Sequence, residues 1–239
     1  MGLATRVIPT VLDRHGQMIK GRQFRADRVV GSSHQAARIH NARGVDELIF
    51  LDVAATPEGR GPDFDGIAQF ASEMFSPLTV GGGVRTVEDV RRLLELGADK
   101  VAIRSAGLDL VRACADQFGS QAIVYSLDVP SLVCRETEKY YALKIAKAAE
   151  RKGAGELLLQ SKGRDGTMQG YDLDLIREVS QAVSIPVIAS GGCSGYEDMY
   201  QAIKAGASAV AAGALFLFTD ATPKGAAKYL SQHNIEVRL

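Results

Sequence analysis

The chain has 239 residues, of which 46% are apolar, enough to bury one sizeable core. Lys plus Arg number 28 and Asp plus Glu number 28, so no overall charge imbalance points to nucleic acid or an anionic membrane surface. Asp13 and His15 interrupt the first 21 residues, so this stretch does not read as a secretory leader, and no apolar run approaches the roughly 20 residues that span a bilayer.

In chain order, Arg6–Leu12 reads as a first strand and Ser33–Arg43 as a first helix, with the poorly patterned Gly16–Ser32 between them. Leu48–Leu51 is a short apolar run bounded by polar residues, as a buried parallel strand should be. The loop Ala54–Pro62 follows, then an amphipathic stretch Phe64–Met74. Pro77 opens a third apolar run ending in Gly81-Gly82-Gly83, Val87–Leu96 reads as a helix, and a fourth strand begins near Lys100. Ile123–Leu127 reads as the fifth strand and Tyr141–Lys152 as the fifth helix. Leu157–Leu159, the loop Gly163–Tyr171, the helix Leu173–Val183, the run from Pro186 to Gly192, the helix Tyr196–Ala205 and a last run near Ala209 complete the pattern.

The second half of this list repeats the first at a spacing of 109 residues. Glu47-Leu48 falls on Glu156-Leu157, Asp63 on Asp172, Asp65 on Asp174, Pro77 on Pro186, Gly82-Gly83 on Gly191-Gly192, and Gly97-Ala98 on Gly206-Ala207. A fixed register over that length indicates duplicated structural units. Strands beginning near positions 6, 48, 78, 100, 123, 157, 187 and 209, alternating with helices, predict one (β/α)8 TIM barrel domain over residues 1–239, built as two half-barrels. A doubly wound open sheet is the alternative, but it gives no reason for two equal halves. Gly16–Ser32, Ala54–Pro62 and Gly163–Tyr171 all follow strands and so belong at the C-terminal mouth, where barrel active sites lie.

Cys114, Cys134 and Cys193 are odd in number and lack metal-ligand spacing, so they read as reduced thiols of a cytosolic protein, and no metal or cofactor is expected. Gly81-Gly82-Gly83 and Ser190-Gly191-Gly192 stand at equivalent strand ends ahead of helices. Backbone N–H groups there can approach an anion, with the positive end of the next helix behind them. Either turn alone could simply need glycine's conformational freedom. Two in symmetric positions, each followed one strand later by small residues (Ser105-Ala106 and Gly213-Ala214), predict two phosphate sites facing across one mouth. Asp52, Asp128 and Asp165 lie at or past strand ends and are candidates for acid–base work, or for capping and loop hydrogen bonds. The loop Gly163-Arg164-Asp165-Gly166-Thr167 is rich in donors and glycine and either folds over a substrate or is an ordinary turn.

Several motifs together resemble the cyclase subunit of imidazole glycerol phosphate synthase. They are Asp46–Asp52, Val80–Gly83, Gly97–Val101, Phe118-Gly119-Ser120-Gln121-Ala122, Gly153–Glu156, Arg164–Thr167 with Gly170-Tyr171-Asp172, and Ile188–Gly192; the match runs on to Val237-Arg238-Leu239. The resemblance implies a glutaminase docked on the N-terminal face, with Asp99 and Gln121 at the interface, and ammonia passing through the barrel core. It implies a gate of Arg6, Glu47, Lys100 and Glu156, each at a strand start. Four such charges could also be ion pairs that plug the barrel floor. Ligand contacts are implied at Lys20, Gly82, Gly83, Arg104, Ser105, Asp165, Gly166, Thr167, Ser190, Gly191, Gly192, Gly213 and Ala214.

The family's two acid–base carboxylates end strands one and five. Asp128 matches the second, but Leu12 stands at the first, and Asp13 is one residue out of register, which turns it to the other face unless a bulge intervenes. Arg104 stands where the family has Asn, and the segment from Asp128 to Glu156 is shorter than in the family. Losing one acid–base partner costs about 10²–10⁴-fold. An intact gate with damaged cyclase chemistry resembles paralogues linked to surface-polysaccharide genes, which pass ammonia from a glutaminase to a sugar amidotransferase making acetamidino sugars. Leu51–Gly59 and Arg6-Val7-Ile8-Pro9 point to that branch, which is the expectation here. The alternatives are a genuine cyclase and lyase of histidine biosynthesis, using Asp128 and Asp13, and a non-catalytic activator of the glutaminase.

Overall fold

The computed structural model describes residues 4–104, 106–130 and 135–238. The chain opens with β1 (Arg6–Arg14), passes through a hairpin of β2 (Gln17–Arg22) and β3 (Arg25–Ser32), and enters α1 (Ser33–Ala42). There follow β4 (Leu48–Asp52), α2 (Phe64–Ser72), β5 (Leu78–Gly81), α3 (Val87–Glu95), β6 (Lys100–Ile103) and α4 (Leu108–Phe118). A 3-10 turn at Ser120–Ala122 leads to β7 (Ile123–Val129), α5 (Arg135–Arg151), β8 (Glu156–Ser161) and α6 (Leu173–Ala182). Last come β9 (Val187–Ser190), α7 (Tyr196–Lys204), β10 (Ala209–Ala212), a short α8 (Ala214–Phe218) and α9 (Pro223–Gln232).

Eight of the strands are parallel neighbours in the order β1, β4, β5, β6, β7, β8, β9, β10, and β10 pairs back onto β1, Arg6 opposite Ala209 through Pro9 opposite Ala212. This closure makes the sheet a (β/α)8 barrel and excludes the open sheet. Several helices begin where a side chain caps them. Asp63 and Asp172, 109 positions apart, accept from Gly66 N and Leu175 N with nearly the same backbone angles. Thr86 and Asp89 form a reciprocal capping box on α3. Strand alternation divides the apolar residues into two sets. One packs the strands against the helices; the other, Ile8, Ile49, Ala102, Val124, Leu158, Ile188, Ala209 and Ala211, fills the barrel axis.

Two elements depart from expectation. Gly16–Ser32 is not loop but the antiparallel β2–β3 hairpin, because β1 runs on to Arg14 and pairs Asp13 with Met18. Helix α5 starts at Arg135, well before Tyr141. Among the described residues no helix is long and apolar enough to cross a membrane, and Cys114 and Cys193 are free, buried thiols. Cys134 lies outside the described residues.

Helix α1 turns Ser33, Ala36, Ala37 and His40 inward. Burial, with Arg43 adding repulsion, lowers the His40 pKa from 6.5 to about 4. The unfolded chain therefore binds a proton that the fold refuses, and stability falls as pH drops through this window, by on the order of 3 kcal/mol. His40→Leu should remove that step. Urea unfolding at pH 7 and pH 4.5 checks it; an unchanged difference between the two pH values would contradict the assignment.

Candidate functional site

In a barrel of this kind alternate strands supply the residues of each inward tier. Lowest, at the strand starts, Arg6 bonds Glu47 at 2.6 Å and Glu156 at 3.0 Å, while Lys100 bonds Glu47 at 3.1 Å and Glu156 at 3.2 Å. Thr79 Oγ1 adds a bond to Glu47 at 3.0 Å. The four charges thus form a closed ring around the axis, with Glu47 only 2% exposed. Burial by itself lowers the Arg6 pKa, but Glu47 and Glu156 outweigh it and hold the guanidinium above its usual value.

Above the ring lie the apolar residues of the axis. The strand registers then place Thr10, Gly81, Ser126 and Ser190 in one tier and Leu51, Arg104, Gln160 and Gly213 in the next. Leu12 and Asp128, with Gly83 and Gly192 just past the ends of β5 and β9, form the rim of the mouth. These tiers border a cavity of about 330 Å³ at the C-terminal mouth. It takes in Lys20, Gly82, Gly83, Arg104, Asp165, Gly166, Ser190, Gly191, Gly192, Gly213 and Ala214 of the expected ligand contacts, and the expected catalytic Asp128. Thr167 is not among them, since its hydroxyl donates to the Arg164 carbonyl at 2.7 Å within its own loop. Ser105 lies outside the described residues.

The two glycine turns need glycine for close approach. A Cβ on Gly82 would lie 2.2 Å from the Asp52 carbonyl oxygen, and one on Gly192 would lie 2.3 Å from that of Gly170; both residues have positive φ. The helix ends beyond the two turns differ from one another. α3 starts four residues beyond Gly83 and its end is occupied by Thr86 and Asp89, while Asp198 of α7 is taken up by Ser194. What each turn itself presents to the cavity is its backbone N–H groups.

The carboxylates separate by role. Asp52 accepts from Arg60 at 2.6 and 3.0 Å and from the N–H groups of Ala54 and Ala55, so it fastens its own loop at the edge of the mouth cavity. Asp165 bonds Lys20 at 3.2 Å, and its carbonyl accepts from Gln23 N at 2.8 Å, which docks the β2–β3 hairpin on the loop after β8. A Cβ on Gly166 would come 2.1 Å from the Gly21 carbonyl oxygen, so glycine is what lets these loops meet. Tyr171 ends that loop with a hydroxyl donated to Ala211 O at 2.9 Å. Asp128 remains at the rim, ion-paired through Oδ2 with Arg104.

No bulge interrupts β1 beside Asp13, so the one-residue offset read from the sequence stands. Pairing from Thr10–Ile49 to Asp13–Asp52 is continuous, so Leu12 faces the mouth and Asp13 faces the helices. Asp13 is 4% exposed and accepts from Ser33 Oγ and Gly16 N, away from the mouth cavity. Burial, opposed by those bonds, raises its pKa above the usual value. A raised carboxyl pKa means that the fold holds the proton more tightly than the unfolded chain, so this contribution weakens as pH rises through the folded value. Asp13→Asn keeps an acceptor for Ser33 and should leave function within about twofold, against the 10²–10⁴-fold loss expected of an acid–base residue. Its stability relative to the parent should improve as pH rises, checked by thermal unfolding between pH 4 and 8.

Sequence reading missed Arg60, Ser126, Gln160 and Thr10. Gln160 and Ser126 were findable, since each sits on an inward position of a strand already recognised. On the opposite face of the barrel, Asp99 bonds Leu78 N at 2.8 Å and Gln121 bonds Phe118 O at 3.2 Å, both on exposed strand-entry loops. At Cys193, burial pushes the thiol up to about 12, so it stays protonated at neutral pH.

A family model described as histidine biosynthesis protein matches residues 6–222. The chain is 41% identical over 250 residues to "Imidazole glycerol phosphate synthase subunit HisF" of Chlorobium phaeobacteroides (strain BS1), covering 99% of this chain and 100% of the relative. It is also 41% identical over 253 residues to the protein of the same name from Dictyoglomus thermophilum, covering 99% of each.

Proposed function

Because the chain belongs to the family of histidine biosynthesis proteins that includes the cyclase subunit of imidazole glycerol phosphate synthase, we propose that it is a barrel fed with ammonia by a glutaminase and deficient in the cyclase step. The glutaminase docks on the face carrying Asp99 and Gln121. Ammonia enters past Arg6, Glu47, Lys100 and Glu156 and leaves at the C-terminal mouth, where the turns at Gly82-Gly83 and Gly191-Gly192 hold the phosphates of a ligand. The ammonia serves a sugar amidotransferase in acetamidino-sugar formation for a surface polysaccharide.

One observation carries the cyclase-deficient reading. Leu12, a side chain that transfers no proton, faces Asp128 across the rim, while Asp13 is bonded behind the barrel wall and Asp128 itself is held by Arg104. Acid–base chemistry that needs two carboxylates has one here. The test is complementation of a histidine auxotroph lacking its cyclase, alongside capture of a glutaminase from the same genome. No growth together with capture is expected; growth overturns the reading.

The second reading is a genuine cyclase and lyase of histidine biosynthesis. It is favoured by the 41% identity over nearly the whole length to proteins that carry that enzyme's subunit name. It requires the reaction to run with Asp128 as the carboxylate among the four rim residues Leu12, Gly83, Asp128 and Gly192.

A further inference from the structure

The barrel closes on itself, yet its sheet keeps one free edge. From β1 the sheet continues outward through β2 to β3, and among the described residues β3 pairs with no strand but β2. An uncovered edge strand offers its N–H and C=O groups to another chain, and natural proteins cover or blunt such edges. This edge stands beside the mouth. Gln23 fastens the hairpin to the loop after β8 through the carbonyls of Gly163 and Asp165, and Phe24 and Arg25 border the cavity.

The side chains of the hairpin are arranged at a cost to the fold. Lys20 lies opposite Arg28 and Arg22 opposite Arg25, two cross-strand pairs of like charge, which destabilise a ladder. Asp165 relieves Lys20 at 3.2 Å, but Arg22, Arg25 and Arg28 are exposed and form no ion pair with a described side chain. Apolar surface lies among these charges. Val29 is 57% exposed, and Phe218 of α8 is 44% exposed with the Arg28 guanidinium 4.7 Å from its ring centroid. Cations alone would be a guard against edge pairing. Cations around an exposed valine and phenylalanine have the composition of an interface, where aromatic residues and Arg are enriched. Arg22, Arg28, Val29 and Phe218 lie outside the mouth cavity, so a small phosphorylated ligand held there does not relieve them. An extended, carboxylate-rich protein segment does, because it pairs with the edge through its backbone and with the arginines through its side chains.

We propose that the β3 edge, with Arg22, Arg28, Val29 and Phe218, seats an acidic extended segment of the enzyme that accepts the ammonia and so holds that enzyme over the mouth. The identity of the partner rests on the ammonia-delivery reading; the surface rests on the free edge and its unrelieved charges. The test is calorimetric titration of the purified sugar amidotransferase of the same genome into the whole chain bound to its glutaminase, at low and at physiological salt. An assay of glutamine-driven amidination of the sugar runs beside it. The expected result is saturable binding that weakens with salt and is about tenfold weaker in Arg22→Glu and in Phe218→Ala. Arg22→Glu also sets an opposite charge across from Arg25, so its thermal unfolding midpoint should rise while docking falls, a divergence that a misfolded variant would not show. Equal binding by the parent and both variants, or amidination at full rate without binding, overturns the docking face and leaves the delivery reading standing. Neither binding nor glutamine-driven amidination with the parent overturns both.

Discussion

Replacing Leu12 with Asp and Arg104 with Asn together should raise turnover of the open-chain bis-phosphorylated aminoimidazole carboxamide nucleotide, with ammonium salt as nitrogen source, by at least about 10²-fold. Leu12 occupies the rim position opposite Asp128, so an aspartate there has its carboxylate in the cavity without any change in strand register. The second substitution is needed because Arg104 engages Asp128 through Oδ2 and so occupies an oxygen that would otherwise be open to the reactant. Each single substitution should recover less than the pair, since the two carboxylates act as a unit. Steady-state kinetics of the four proteins checks this. A parent as active as the double variant would remove the reason for calling the rim deficient.

The second large effect concerns stability. Lys100→Met should destabilise the fold by about 3 kcal/mol, because it leaves Glu47 and Glu156 sharing Arg6 alone in a place where Glu47 has almost no access to water. Adding Glu156→Leu restores neutrality and should recover most of the loss, a non-additivity that marks direct coupling. Urea unfolding of the two single variants and the double variant measures it. A loss below about 1 kcal/mol in Lys100→Met would mean that the ring is hydrated and replaceable, as exposed ion pairs are.

The sequence was informative about the barrel because the signals for parallel strands are local. Runs such as Leu48–Leu51 and Val187–Ala189 are apolar on both faces, and amphipathic stretches such as Phe64–Met74 follow them. The β2–β3 hairpin was not legible, because its pairing mixes buried Met18 and Ile19 with exposed Arg22, Arg25 and Arg28 and carries register shifts, so no period of two survives. The floor ring came from the family resemblance, with the strand-start positions of its four charges as support. Asp13 was correctly suspect, since a single residue of offset decides its face, yet only the uninterrupted β1–β4 ladder settles which way it points. Asp52 could not be resolved in advance, because its partner Arg60 lies in a loop whose path no periodicity encodes. The hydroxyl tier escaped for a different reason. Thr10, Ser126 and Ser190 meet only through the stagger of a closed barrel, which brings together residues far apart in the chain.

The most direct measurement is turnover of the bis-phosphorylated nucleotide by the unaltered chain with saturating ammonium salt, set beside Asp128→Asn. A rim with a single available carboxylate predicts background rates in both proteins. Robust turnover in the parent that Asp128→Asn abolishes would contradict the account and leave a working cyclase in its place.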